Sequence, residues 1–333
     1  MVRHVALHDP TLARAALEGL RVYGKAMRPA RPVRTVVARQ GRAQLLGTTV
    51  SGAPLLLVPS LINPSHVLDL DAERSLLAWL GTNGHAAMLL DWGVPELSER
   101  DLTIAGHVEG YLVPLLEQLG EPVHLVGYCL GGTMAIAASR ILPVRSLTLM
   151  ATPWHFGRYP ADARASLARL WKRQEAQVQT MGLMPMEMLQ TAFWGLDPDR
   201  TVSKFAALAG RSIDDPVVTG FAALEDWAND GAPLTAAAGE DLFCRLMHDD
   251  QTGAGQWLVA GKAIRPEDIA VPVRHFVAHN DRIAPAETAP DGIDAVPCPS
   301  GHVGMITGSR AQLGCWEPLA EWLRSVDQAQ SRS

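Results

Sequence analysis

Cys129 stands at the centre of Gly127-Tyr128-Cys129-Leu130-Gly131, between a strand-like apolar run (HLVGY) and a small-residue segment of helical character (GGTMAIAA). A side chain on so tight a strand-to-helix turn is pushed to the top of the sheet, where it can attack a substrate. The usual nucleophile of this turn, G-x-S-x-G, is serine, and here a thiol takes its place. Elsewhere a cysteine after a strand would read as a small buried hydrophobe. In this setting Gly127 and Gly131 let strand and helix approach, Gly132 allows close packing of the helix start, and the helix N-terminus favours the thiolate that does the attacking.

A nucleophile of this kind needs a base and an orienting acid. In hydrolase-like α/β folds they follow in the chain order nucleophile, acid, histidine, each on a loop after a strand. Asp281 in 273-VRHFVAHNDRIAP-285 and His302 in 298-CPSGHVGMITG-308 arrive in that order. Cys129, Asp281 and His302 are therefore the expected catalytic set. The backbone N–H of Leu130 points where an oxyanion would form, and a second donor is expected from Leu61 or Ile62 in the VPSLINP loop. His124, His275 and His279 lie on or beside strands and read as packing or surface residues. Asp241, Asp249 and Asp250 read as solvated.

The elements that would hold these residues are legible as short apolar runs: PLLLVPSLI, AAMLLDWG, PVHLVGY, VRSLTLMA and VPVRHFVA. Such runs are strands buried on both faces, and helical stretches over 71–82, 101–119 and 131–142 separate the first four, which implies βαβ units. The expected fold is an α/β-hydrolase, with a mostly parallel central sheet, helices on both faces and a helical cap insertion. Residues 1–45 hold an N-terminal helix (9–28) and leading strands around a Gly-containing turn. Residues 46–153 and 251–328 form the core, 154–250 the cap, and QAQSRS a frayed tail. The Met-rich stretch from residue 181 to 195 is either core filler or a pliable lid over an acyl pocket.

Hydrophobic residues make up 47% of the 333 and charged residues 19%, with a net charge of −6, which argues against a nucleic-acid footprint. The N-terminus lacks the apolar core of a signal peptide, and no run reaches the roughly 18 apolar residues of a membrane span. The four cysteines (129, 244, 298 and 315) show no metal-ligand spacing. Reduced thiols, a cytoplasmic setting and no metal or bound cofactor are expected.

Cysteine also biases the substrate. A thiol that attacks a coenzyme A (CoA) thioester exchanges one thioester for another, and the acyl group stays activated for an alcohol. These residues resemble the polyhydroxyalkanoate (polyester) synthases, especially the short class III catalytic subunit. LLLVPSLINPSHVLDLDAERSLLAWLGTNGHAAMLLDWGVPE, GYCLGGT, LEDWAND, NDRIAP and SGHVGM carry the resemblance, in order, over about residues 30–325. It implies that Cys129 carries a hydroxyacyl chain as a thioester, with His302 as its base and Asp281 as activator or orienter. It also implies that Tyr128 and Trp227 line the substrate site. The chain departs from the family pattern at Arg282, Glu96 and His155.

The resemblance further implies 3-hydroxyacyl-CoA and polyester as ligands, a second helical subunit docking on the cap or N-terminal helix, a homodimer, and adsorption to polymer granules. Two other readings keep the same residues in view. One is a cysteine-dependent hydrolase, a thioesterase or depolymerase; the other is a non-catalytic granule-associated protein.

Overall fold

The apolar runs become the middle of an eight-stranded sheet in the computed structural model, which describes residues 8–48, 50–190 and 198–332. The strands are β1 (Thr35–Gln40), β2 (Ala43–Gly47), β3 (Ala53–Val58), β4 (His85–Asp91), β5 (His124–Tyr128), β6 (Ser146–Met150), β7 (Val273–Ala278) and β8 (Ala295–Cys298). Their order is β1-β2-β4-β3-β5-β6-β7-β8. Only the β1–β2 and β2–β4 pairs are antiparallel; from β4 to β8 every pair is parallel. Strands β5 and β6 are buried at every position, as strands covered on both faces must be.

Among the described helices are α1 (Pro10–Lys25), α2 (Leu76–Thr82), α3 (Val113–Leu119), α4 (Leu130–Ile141), α5 (Ala161–Met181) and α6 (Pro198–Ala206). Helix α7 (Pro216–Asn229) follows in the same insertion, and α8 (Glu317–Gln330) ends the described chain's helices. The stretch 71–82 becomes helical only at Leu76. Asp71 Oδ1 first accepts the Glu73 and Arg74 N–H groups in a turn, and Ser75 then caps the helix through the Ala78 N–H. The stretch 101–119 starts at Ile104 for a similar reason, Thr103 capping the Gly106 N–H at 2.9 Å.

Two expectations are corrected. Strand β8 was not among the apolar runs, because its pattern is half-exposed and contains Pro297. The tail is not frayed at 328–330: α8 continues to Gln330, whose side chain donates to the Arg145 carbonyl at 3.0 Å.

Between β6 and β7 the chain leaves the sheet and forms α5, α6 and α7. Met184, Met186 and Met188 of the Met-rich stretch are buried while Met181 is exposed; residues 191–195 of that stretch lie outside the described residues. Helix α1 packs on α6, and Tyr23 and Arg28 both bond Asp226 of α7. Among the described residues no helix is long and apolar enough to cross a membrane.

Candidate active site

Strand β5 ends at Tyr128 and α4 begins at Leu130, so Cys129 alone turns the chain. Its backbone sits at φ 56°, ψ −132°, a left-handed conformation that costs a residue with a side chain about 1–3 kcal/mol. Both sides of the turn are pinned. The Cys129 N–H donates to the Met150 carbonyl at the end of β6, and the Gly132 N–H donates to the Cys129 carbonyl, each at 2.9 Å. A Cβ on Gly131 would lie 2.2 Å from the Val58 carbonyl oxygen, so only glycine lets α4 start this close to β3.

Asp281 follows β7 and His302 follows β8, so all three residues sit at the carboxyl ends of parallel strands, where α/β sheets bind ligands. Asp281 Oδ1 accepts the Ile283 and Ala284 N–H groups at 2.8 Å each, and Oδ2 accepts the His302 Nδ1–H at 2.7 Å. This carboxyl group is fully shielded from solvent. The His302 imidazole and the Cys129 sulfur border the same cavity, close enough for each to feel the other's charge. Burial opposes charge on the imidazole. The charge on the Cys129 sulfur and the Asp281 hydrogen bond outweigh it, and the His302 pKa is pushed up to about 10. That shift favours the imidazolium form of His302.

A cavity of about 380 Å³ opens onto this group. Cys129, His302, Tyr128 and Leu130 line its sheet side, and Leu189, Trp227, Leu242, Phe243 and Met247 line the opposite side. Its walls are largely apolar, with Gln190, Lys204, Glu225 and Asn229 forming a polar end. There Lys204 Nζ pairs with both Glu225 oxygens at 2.6 and 2.7 Å. The buried methionines of the Met-rich stretch do not line this cavity; Met247, outside that stretch, does.

Leu130 is the first residue of α4, so its N–H has no partner in the helical ladder. Ile62 borders the cavity, but its N–H donates to Ser60 Oγ at 3.1 Å, while Leu61 faces a second cavity beside Arg34 and Asp69. Tyr128 donates to the His302 carbonyl at 3.2 Å, its ring 5.1 Å from the imidazole; burial raises its pKa well above the usual phenol value and keeps it a donor. Trp227 Nε1 donates to the Pro64 carbonyl at 2.8 Å and ties α7 to the loop after β3.

Sequence reasoning passed over two residues here. Ser60 sits in the cavity wall and holds the Ile62 amide. Tyr159 also lines the cavity and donates to the Ile283 carbonyl at 2.8 Å, bracing the loop that carries Asp281. The only local signal was Ser60's place beside Leu61. Asp241 is corrected from solvated to buried, since its Oδ2 accepts the distant Ile104 N–H at 2.8 Å; burial raises its pKa. His275 is buried, lowered to about 4 by burial, and its Nε2 accepts the Thr152 N–H. His279 is exposed. Of the departures from the family pattern, Glu96 caps the short turn Leu97–Glu99 and His155 pairs with Asp291; neither lines the cavity.

The chain is 26% identical to the poly(3-hydroxyalkanoate) polymerase subunit PhaC of Haloferax mediterranei over 86% of its own length. It is 27% identical to the subunit of the same name from Allochromatium vinosum over 81% of its length, spanning 80% of that protein. It spans 63% of the Haloferax protein and 60% of the Haloarcula marismortui one, less than two thirds of each. No family model matches the chain. Among solved structures, a monoacylglycerol lipase of Paleococcus ferrophilus aligns with a TM-score of 0.51 at 18% identity, over 85% of this chain and 99% of that one. The fold is that of the α/β-hydrolases.

Proposed function

We infer that this chain, whose resemblance to poly(3-hydroxyalkanoate) polymerases extends over about four fifths of its length, is a polyester synthase-like acyltransferase working through a cysteine thioester. The observation that carries the reading is the hydrogen-bonded His302–Asp281 pair set beside Cys129 in the wall of a largely apolar cavity. In this reading the Cys129 thiolate attacks the carbonyl carbon of a 3-hydroxyacyl-CoA. The new S–C bond forms as the bond to the CoA sulfur breaks, and the proton on His302 goes to the departing CoA thiolate. His302, now neutral, takes the proton from an incoming hydroxyl. Its oxygen attacks the acyl-enzyme, an ester C–O bond forms, and the Cys129 thiolate returns.

The Leu130 N–H is the assigned oxyanion donor. Leu61 or Ile62 is the second, and Ile62 would serve only after releasing Ser60 Oγ. Asp281 is a positioning residue: both its oxygens are engaged and its carboxyl group is shielded, so it holds the His302 tautomer and does not reach the hydroxyl. Tyr128 and Trp227 shape the acyl site from opposite sides. Residues 154–250 are the cap in this reading, and no bound cofactor or metal takes part. The relatives are named as subunits, which supports a partner chain; its helical character, adsorption to polymer granules and a homodimer belong to the same reading.

The test follows CoA release and sizes the product when the chain meets (R)-3-hydroxybutyryl-CoA, alone and as Cys129→Ala. Oligomer or polymer that disappears in the variant is the expected result. Free 3-hydroxybutyrate as the sole product would make the protein a thioesterase, and unchanged turnover in the variant would remove Cys129 from the chemistry.

A further inference from the structure

The opposite end of the sheet holds a second cluster of titratable groups that the acyl chemistry does not use. His85 opens β4 and His124 opens β5. Strand β3 runs between them, with Ala53 paired to His85 and Leu55 to His124. Residues 53 and 55 are two apart, so both histidines point to the same face of the sheet. Asp327 of α8 comes down on that face. His124 Nε2 lies 3.0 Å from Asp327 Oδ1, and the two imidazole rings are 5.8 Å apart. One ligand atom from each of the three residues lies within 4.8 Å of the others.

His85 makes the arrangement unusual. It is 2% exposed, and neither ring nitrogen has a hydrogen-bond partner. Buried polar groups are nearly always paired, and leaving one unpaired costs about 1–3 kcal/mol. The remaining parts fit a ligand set. His124 Nδ1 is 2.8 Å from Ser146 Oγ, the outer hydrogen bond that fixes a metal-binding imidazole with Nε2 facing the ion. The Asp327 side chain is 29% exposed, which leaves a route for an ion and a position for water.

We propose that His85, His124 and Asp327 form a binding site for a divalent transition-metal ion of the zinc type. It would staple the C-terminal helix to the amino ends of β4 and β5. Two imidazoles and one carboxylate suit zinc, with water completing a tetrahedron. A tetrahedral zinc site needs ligand atoms about 3.3 Å apart, from bond lengths of about 2.0–2.1 Å, so the side chains close inward by roughly an ångström. The proton that His124 Nε2 shares with Asp327 passes to Nδ1 as the ion enters, and Ser146 Oγ turns from donor to acceptor of it. Arg145, which also bonds Asp327 Oδ1 at 3.1 Å, is one-third exposed and turns to solvent; it faces His124, while Arg324 is the cation facing His85.

The experiment titrates the chelator-treated full chain with Co²⁺ and Zn²⁺. It follows cobalt absorption and unfolding temperature in the wild type, His85→Gln, Asp327→Asn and Cys129→Ala. Expected are one equivalent bound, a four-coordinate cobalt spectrum without sulfur-to-metal charge transfer, and a rise in unfolding temperature, all retained in Cys129→Ala. His85→Gln and Asp327→Asn should each weaken binding more than about tenfold, and Ser146→Ala by about tenfold. Asp327 is partly exposed, so its variant keeps the test intact if the His85 variant does not fold. No binding by the wild type, unchanged binding in the Asp327 variant, or binding that vanishes with Cys129 would each overturn the proposal. The last would place the ion at the thiol.

Discussion

Strand β5 has a chemically capable residue at each end. His124 opens it and Cys129 follows its last residue, about 16 Å away at ~3.3 Å per residue. Both ends gather a histidine and an aspartate from distant parts of the chain, yet they are built differently. At the carboxyl end the partners form a continuous series: two backbone amides hold Asp281, Asp281 holds His302, and the His302 ring borders the cavity beside Cys129. At the amino end the series stops at His85, whose nitrogens meet nothing. A continuous series beside a cavity is prepared to move a proton. An open one, with an unpaired imidazole beside a partly exposed carboxylate, is what the proposed metal ion would close.

The largest effect should come from breaking the continuous series at its centre. His302→Gln is expected to lower turnover about 10³-fold or more, because in the proposed mechanism proton transfer to and from both sulfur and hydroxyl passes through this ring; steady-state rates with an unchanged circular-dichroism spectrum would check it. Asp281→Asn should cost less, about 10²-fold. An asparagine oxygen can still accept the Ile283 and Ala284 amides, but its NH₂ cannot accept the His302 Nδ1–H, so the rate falls while the loop holds.

Stability against pH sharpens the contrast between a charged and a neutral histidine. His302 is raised from 6.5 to about 10, so its contribution is complete below pH 6.5 and is lost as pH rises toward 10. His66, His107 and His275 are lowered to about 4, chiefly by burial. What they contribute is complete above pH 6.5 and is lost as pH falls toward 4, where the unfolded chain binds protons the native one refuses. Urea midpoints should therefore decline on both sides of neutrality. Cys129→Ala should flatten the alkaline limb alone, since the sulfur's charge does most to raise His302. The smallest effect concerns the cap. Trp227→Phe removes the bond to the Pro64 carbonyl, worth about 1 kcal/mol, and should raise KM roughly fivefold with little change in kcat.

The same contrast explains what was legible in the sequence. The carboxyl end announced itself because each residue stands next to a local signal: glycines around Cys129, and turn or glycine-flanked settings after strands for Asp281 and His302. The parallel strands were legible because burial on both faces leaves continuous apolar runs, as in β5 and β6. Strand β8 was not, since an edge strand with Ala295 and Pro297 exposed carries no such run. Asp241 looked solvated because the amide that buries it lies 137 residues away, at Ile104. The amino-end cluster was invisible for the same reason. His124 alone reads as a packing residue, and only the fold brings in Asp327, 203 residues on. Helical character in residues 154–250 could be read from composition. Which of its side chains reach the cavity could not: Met184, Met186 and Met188 turned away from it, while Leu189, Gln190 and the distant Met247 took the wall.

The central claim is that Cys129 carries the acyl group, and the intact mass of the protein tests it most directly. The chain would be mixed with (R)-3-hydroxybutyryl-CoA, quenched in acid within the first turnovers, and weighed beside Cys129→Ala. A mass increase of one or more hydroxybutyryl units on the wild type, mapped to the peptide holding Cys129 and absent from the variant, is the predicted result. CoA release at the wild-type rate by the variant, or an adduct on any other residue, would contradict the account.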